Sequence, residues 1–438
     1  MNKLFKKINQ SKVFKDLNPQ EFSWVMYDVG NSAYTMIACS LIPIWFKALA
    51  IGEGPGKITG DKATAYWAAA TAIVTIIVAL IGPVCGALAD HKDTKKIFFT
   101  TAVAIGVGGC ILNGFAPSWL MFLGVYILTK IAYQASLTFY DSMLNDVTTE
   151  DRLDEVSSYG YAWGYIGSCI PFLVALIFYV ITPGAGMGLH IVSDTVGRVV
   201  GFSVTAIWWL MVTLPLLKNY KQKNYVAETA GSIGNAFKHI FDTLKKIATQ
   251  DKRVLFFLIA FFLYIDGVGT IIDNCINIGT DLGLNTVGQV VFLLLTQVVA
   301  FGGSLVFAKL STKHDTVSLI SICIFGYTLV CLYALTLHQL YQFAIMAFGV
   351  GCFQGSIQSL SRSYYSKIIP EESSGEYFGI YDIFAKGASF LGSAVITWVK
   401  LAGGTINIAV GMLAIFFILG FVFLSLSDRT IKLDKDKQ

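Results

Sequence analysis

The sequence predicts an all-α membrane protein with about twelve transmembrane helices arranged as two pseudo-symmetric six-helix halves. Three observations carry this expectation. Charged residues make up only 14% of the 438 against 55% hydrophobic, and the mean hydropathy is +0.64; a water-facing surface ordinarily needs about 25% charged residues. The apolar residues gather into stretches of about 20 or more, the length that crosses roughly 30 Å of hydrocarbon. Lysine and arginine then alternate between connections, with about 25 of the 32 on the N-terminus, the even-numbered loops and the C-terminus, as the positive-inside rule requires of cytoplasmic segments.

Taken in order, the spans are expected near 22–50, 64–89, 96–115, 118–145, 155–182, 194–217, 254–280, 286–310, 316–337, 340–368, 375–401 and 404–427. The fourth, fifth, tenth and eleventh are long enough to tilt or to project beyond the bilayer. The chain then divides into a cytoplasmic N-terminus (1–21), a first bundle (22–217), a cytoplasmic linker (218–252), a second bundle (253–428) and a cytoplasmic tail (429–438). A cell membrane, plasma or inner, is the expected location. The basic start (Lys3, Lys6, Lys7, Lys12, Lys15) invites a signal-peptide reading, but the first apolar stretch is too long and no small-residue cleavage site follows. Asn18-Pro19-Gln20-Glu21 instead reads as a helix start, with Asn as cap, Pro first and Glu third. In the linker, Ile233, Phe237, Ile240, Phe241, Leu244 and Ile247 share one helical stripe, with Lys238, Lys245 and Lys246 off it. That pattern fits an amphipathic helix lying on the cytoplasmic membrane face; the alternative is a linker helix that touches nothing.

Several functions are disfavoured at this level. No basic face interleaved with aromatics points to nucleic acid. The 8 cysteines show no CxxC spacing, the five histidines are scattered, and neither HExxH nor GxSxG occurs, so no metal, cofactor or membrane-embedded enzyme is expected. The lipid bilayer is the expected environment, and a small-molecule substrate with a coupling proton or sodium the expected partners.

The two halves carry similar segments in the same order. Tyr27-Asp28 in span 1 is echoed by Tyr264-Ile265-Asp266 in span 7, Gln134-Ala-Ser136 in span 4 by Gln354-Gly-Ser356 in span 10, and Tyr159-Gly160 in span 5 by Phe378-Gly379 in span 11. Such a repeat places a binding site between the halves near the bilayer midplane. Charge inside the membrane costs a few kcal/mol or more unless it faces a partner or water, and helical spacing gathers these residues into faces. Asp28, Asn31 and Thr35 share one, beside Tyr27 and Tyr34. Lys130, Gln134, Thr138, Asp141 and Asn145 form a second; Asp266, Thr270, Asp273 and Asn277 a third; Gln354, Gln358, Arg362 and Tyr365 a fourth; Asp382, Lys386, Ser389 and Ser393 a fifth. Five inward stripes would line a water-accessible path. Asp28, Asp266, Asp273 and Lys130 are expected deepest. Asp382 and Lys386, one turn apart, are placed to neutralise each other. Two readings stand for Lys130 and Lys386: they hold a substrate carboxylate, or they pair with the aspartates.

Between spans 2 and 3, Gly86-Ala-Leu-Ala-Asp90-His-Lys-Asp-Thr-Lys95-Lys96 is similar to the G-x-L-x-D-x-x-x-x-[RK]-[RK] motif of the major facilitator superfamily. The resemblance implies that Gly86, Asp90, Lys95 and Lys96 form a cytoplasmic gate; the equivalent in the second half, from Gly303 to Lys309, is degenerate. Arg362, by its place at the cytoplasmic end of span 10, is expected to serve gating or solvation, as are Asp141 and Asn145 at the end of span 4. Trp24-Val-Met-Tyr27-Asp28-Val-Gly30-Asn31-Ser32-Ala33-Tyr34, Gln354-Gly-Ser-Ile-Gln358-Ser-Leu-Ser361-Arg362-Ser363, Ile369-Pro370 and Glu376-Tyr-Phe378-Gly379 resemble segments of the vacuolar amino-acid effluxer family linked to autophagy, which has bacterial members. The chain departs from that family's pattern at Val29-Gly30, Asp141 and Asn145. The resemblance implies a secondary transporter of a small polar organic solute, an amino acid by family, working by alternating access with a proton as the favoured coupling ion. A cation-coupled sugar or glycoside symporter and a non-transporting receptor or scaffold are the other readings.

Overall fold

A computed structural model describes residues 16–52, 55–185, 190–227, 233–281, 286–387 and 390–435, and the description is helical almost throughout. The helices are α1 (Pro19–Cys39), α2 (Leu41–Ala50), α3 (Gly60–Ala89), α4 (Lys95–Gly114), α5 (Trp119–Ser142), the single turn α6 (Leu144–Val147), α7 (Leu153–Val180) and α8 (Asp194–Asn219). After the linker helix α9 (Ile233–Thr249) come α10 (Lys252–Asp281), α11 (Thr286–Leu310), α12 (Thr316–Ala334), α13 (Leu340–Ile368), α14 (Ser374–Gly387), α15 (Phe390–Leu401), α16 (Ile406–Met412) and α17 (Ala414–Lys435). Among the described residues, ten helical spans are long and apolar enough to cross a membrane, and the bent pair α1–α2 makes an eleventh. The remaining expected span falls on α14 and α15.

The start of the first span follows from its cap. Asn18 Oδ1 accepts from the amides of Gln20 and Glu21 at 2.8 and 2.9 Å, and Glu21 Oε2 accepts from the Asn18 amide at 2.8 Å. Two orphan donors are thereby satisfied reciprocally. The single helix expected over 22–50 is instead bent by 42° between α1 and α2. Pro43 supplies the reason: it has no N–H to give the carbonyl four residues back, that of Cys39. α14 and α15 flank residues 388–389, which lie outside the described residues, and the amide of Gly392, third in α15, is capped from another helix by Asp266 Oδ2 at 2.7 Å.

Leu80, Leu120, Ile177, Phe348 and Leu401 are exposed along the outer helix faces. An apolar exterior on this scale fits lipid as solvent. Inside are two hydrophobic cores, one built from residues between Leu17 and Tyr220, the other from residues between Ile247 and Leu424. The repeat is visible in hydrogen bonding: Tyr27 Oη donates to Ser136 Oγ at 2.6 Å, and Tyr264 Oη meets Ser361 Oγ at 2.6 Å. The structure therefore pairs Ser136 with Ser361, five residues beyond the Ser356 that the short Gln-x-Ser match selects. A three-residue match leaves a helical register free by about a turn, and the tyrosine bond fixes it.

The linker helix does not stand alone, so it is not a linker that touches nothing. Ile240 packs on Val84 and Leu88 of α3, His239 Nδ1 lies 3.0 Å from Glu376 Oε2 of α14, and Ile247 joins the second core. Phe241 stays 70% exposed. The helix thus straps the two halves together; the side chains of Ile233, Phe237 and Lys238 lie outside the described residues. Ile240 and Ile247 of its apolar stripe find protein as a partner, while Phe241 and Leu244 of the same stripe stay exposed.

Candidate functional site

The described polar ties between the halves run from one face to the middle of the molecule. This terminal face carries the start of α1, which holds the end of α8 through Gln20 and Asn219, and the end of α17, where Ser427 Oγ donates to the Arg253 carbonyl. At its edge Asp90, the C-cap of α3, accepts the amides of Gly375 and Glu376 at 2.7 and 2.8 Å with its two oxygens. It thereby caps α14, placing negative charge at a helix N-terminus. Lys95 lies 3.3 Å from Asp90, donates to Ser374 Oγ at 2.8 Å and sits 3.9 Å from Asp146. Of the basic pair, Lys95 is fully buried in this lock; Lys96 is half-buried and makes no described ion pair. Gly86 is required by closeness: a Cβ there would collide with the Gly375 carbonyl, and one at Gly379 with Pro83.

Burial pushes the Asp90 carboxyl up to about 6, against the pull of Lys95 and the two amides. An open terminal face would hydrate Asp90 and return it toward its ordinary 3.8. The closed arrangement then binds more protons between those values, so closure is favoured as pH falls from 6 toward 4 and loses this contribution above 6. Spin labels at Lys92 and Glu371, both exposed at this face on opposite halves, should report a growing short-distance population over that window. Asp90→Asn should remove this component.

One layer deeper, Arg362 of α13 crosses to the first half. Its Nη1 lies 2.9 Å from Asp141 Oδ1, Nη2 3.4 Å from Asp28 Oδ2, and Nε and Nη2 donate to Ser157 Oγ and carbonyl at 3.0 Å each. The guanidinium stacks over Trp24 and Tyr161, each 4.6 Å from the ring centre. Asp28 also accepts from Tyr140 Oη at 3.0 Å and Asn31 Nδ2 at 3.2 Å. Gly160 makes room on α7, since a Cβ there would lie 2.6 Å from Asp28 Oδ2. Nearby, Asp382 accepts from Lys386 at 2.7 Å and from Thr138, so this pair is neutralised as its spacing predicts, with an added tie to α5.

Toward the opposite face α11 keeps contact through Leu293 and Leu294, which pack against the first core, while polar side chains of both halves become exposed or half-buried. α3 is exposed around most of its circumference up to Ile81 and buried or half-buried from Gly82 to Asp90. Thr35 and Cys39 of α1 are exposed on the helix face that carries Asp28 and Asn31. Thr35 Oγ1 meets Tyr133 Oη at 2.5 Å. Lys130 sits 5.7 and 5.0 Å above the rings of Tyr34 and Tyr133, and Gln134, Gln354 and Gln358 are half-buried, with Gln358 3.5 Å from Tyr165 Oη across the halves. The result is a polar cleft floored by the Arg362 layer and closed beneath by the Asp90 lock.

The structure thus brings Asp28, Asn31, Lys130, Gln134, Gln354, Gln358 and Lys386 to the cleft or its floor. Tyr34 is fully buried beneath Lys130. Asp266 and Thr270 lie elsewhere: both are fully buried, where a Cβ on Gly392 would collide with Thr270. Asp266 is shut off from the cleft, and its Oδ2 accepts the Gly392 amide of α15 at 2.7 Å. The side chain of Asp273 lies outside the described residues. Two residues that tie the halves together and are absent from the sequence stripes are Asp154 and Lys367. Asp154 accepts from Ser363 Oγ, Thr316 Oγ1 and Lys367 Nζ at 2.6, 2.7 and 2.7 Å across the halves. A sequence signal for them exists: Asp154, Ser157, Ser158, Tyr161 and Tyr165 form one stripe on α7, facing Ser359, Arg362, Ser363 and Lys367 on α13.

Two helical bundles meeting through breakable ion pairs at one face and lining a polar cleft toward the other define a transporter of the major facilitator type. This is also the fold of the fucose transporter FucP in its outward conformation, which aligns with a TM-score of 0.70 at 12% identity over 92% of this chain and 97% of that one. The chain belongs to the family described as "Vacuole effluxer Atg22 like", whose profile matches residues 19–435. It is 35% identical over 429 residues to the uncharacterised MFS-type transporter YxiO of Bacillus subtilis, covering 97% of this chain and 99% of that protein. Autophagy-related protein 22 of Botryotinia fuckeliana is 26% identical over 60% of this chain, the match spanning 48% of that longer protein. The protein is a multi-pass membrane transporter rather than an enzyme.

Proposed function

We propose that this protein is a secondary active transporter that moves an amino acid by alternating access with proton coupling, and that the terminal face is cytoplasmic. The single observation that carries the reading is the asymmetric closure. Asp90, Arg362 and Asp154 bind across the halves at one face while Thr35, Cys39, Lys130 and Gln134 border an open cleft on the other side. A fold with such a repeat reaches its other state by rocking one bundle against the other. The positive-inside distribution supports the orientation, and the family supports the amino acid. In the cleft, the Lys130 ammonium over two tyrosines suits a carboxylate, with Gln354 and Gln358 as hydrogen-bonding neighbours.

A second reading draws on the same wall. Tyr133, Tyr165, Gln354 and Gln358 are the aromatic and amide groups a sugar needs, which keeps a cation-coupled sugar symporter as the alternative. Counterflow in proteoliposomes against amino-acid and sugar panels separates the two. Saturable amino-acid exchange is expected, weakened at least about tenfold by Lys130→Ala, the loss of roughly 1.4 kcal/mol of binding. Sugar exchange alone would favour the alternative, and silence in both panels would contradict the transport reading.

A further inference from the structure

At the level of Arg362 three carboxylates meet two cations. Asp28 and Asp141 come from the first half, Asp382 from the second, and the cations are Arg362 and Lys386, both from the second. Lys130 stands eleven residues from Asp141 on the same helix, about 16 Å away along its axis, and does not neutralise the layer. The other titratable groups around Asp141 are Tyr133 and Tyr140 on its own helix, Tyr161 on α7 and Tyr381 on α14; neutral phenols add no cation. Among the described residues one carboxylate is therefore in excess, and uncompensated charge in a desolvated layer is costly.

The hydrogen bonds show which one. Asp382 holds Lys386 and Thr138. Asp28 receives Asn31, Tyr140 and two Arg362 contacts. Asp141 receives, among the described residues, Arg362 alone, on Oδ1, and keeps 16% of its side chain exposed. Asn145 Nδ2 to the Ser366 carbonyl and the Asp90 lock tie the halves together on its terminal side, which leaves the cleft as its route to water.

Resting on the transporter reading above, we propose that Asp141 carries the coupling proton, loading it from the cleft and releasing it at the terminal face. A proton from cleft water adds to Oδ2, giving a neutral carboxyl whose Oδ1 still accepts from Arg362 Nη1. When the halves part at the terminal face, Arg362 leaves with α13, water reaches Asp141, and the carboxyl ionises into that side. A proton fits this layer better than sodium because its neighbours are donors: a guanidinium, the Tyr140 and Thr138 hydroxyls and the Asn31 amide. A metal ion would need those directions filled by oxygen acceptors.

Infrared difference spectroscopy on the purified full chain in lipid, without substrate, tests this. The wild type at neutral pH should show a protonated-carboxyl stretch that disappears in Asp141→Asn and shifts in Asp141→Glu. The same band should vanish in Asp28→Asn, which balances the charge count and leaves Asp141 ionised. It should also vanish in Gly86→Ala, which holds the terminal face open. A band that persists in Asp141→Asn, that moves with Asp28→Glu instead, or that sodium abolishes at constant pH would overturn the assignment. Because the band reads protonation with no solute present, it can fail while counterflow succeeds, and the reverse.

Discussion

Arg362→Ala is expected to abolish transport and to collapse the cleft-open state. The guanidinium compensates Asp28 and Asp141, bonds Ser157 twice and fills the gap between Trp24 and Tyr161. Removing one partner of a buried ion pair costs about 3–5 kcal/mol because the other charge is left uncompensated. Spread over the closed-face equilibrium, this lowers the closed population by at least about 100-fold. Lysine should not rescue it, since a single ammonium cannot reproduce a fork that reaches two carboxylates and Ser157 together. The spin-label pair at Lys92 and Glu371 measures the loss as a shift to long distances, and counterflow measures the loss of exchange.

Gly86→Ala is the second large effect, and it should separate function from fold. In an ordinary helix interior this exchange stabilises by up to about 1 kcal/mol. Here the added methyl meets the Gly375 carbonyl across the halves, a backbone atom that no rotamer change can move. α14 must back away, the Asp90 oxygens lose the amides of Gly375 and Glu376, and the terminal face cannot close. Transport should fall to background while the thermal midpoint stays within a few degrees of wild type. A variant that transports normally would show that the contact of α3 with α14 is not a gate.

The fold is legible because it rests on quantities a sequence states directly. Span length, charge placement and the cap at Asn18 to Glu21 each follow from local chemistry, and the gate motif places Gly86, Asp90 and Lys95 at one turn. What escapes depends on packing between elements distant in sequence. Asp28 and Asp266 look alike on their helices, yet one meets Arg362 and the other the Gly392 amide of α15. No periodicity within α10 announces the partner α15 supplies. The linker helix shows the same limit: its apolar stripe declares a surface to be covered, while only the assembled α3 and α14 decide that protein covers Ile240. Asp154 and Lys367 escape a search weighted toward charges deep in the spans, although their stripe is written in the spacing of α7 and α13.

The central claim is that the halves open alternately, with the cleft facing away from the terminal side in the state described. Cys39 offers the most direct test, being exposed on the cleft face of α1. In a chain retaining it as the sole cysteine, a membrane-impermeant thiol reagent applied outside intact cells should label Cys39, and Gly86→Ala should slow that labelling at least about tenfold. Cys39 that resists the external reagent in the wild type, or that reacts equally fast with the terminal face held open, would contradict the account.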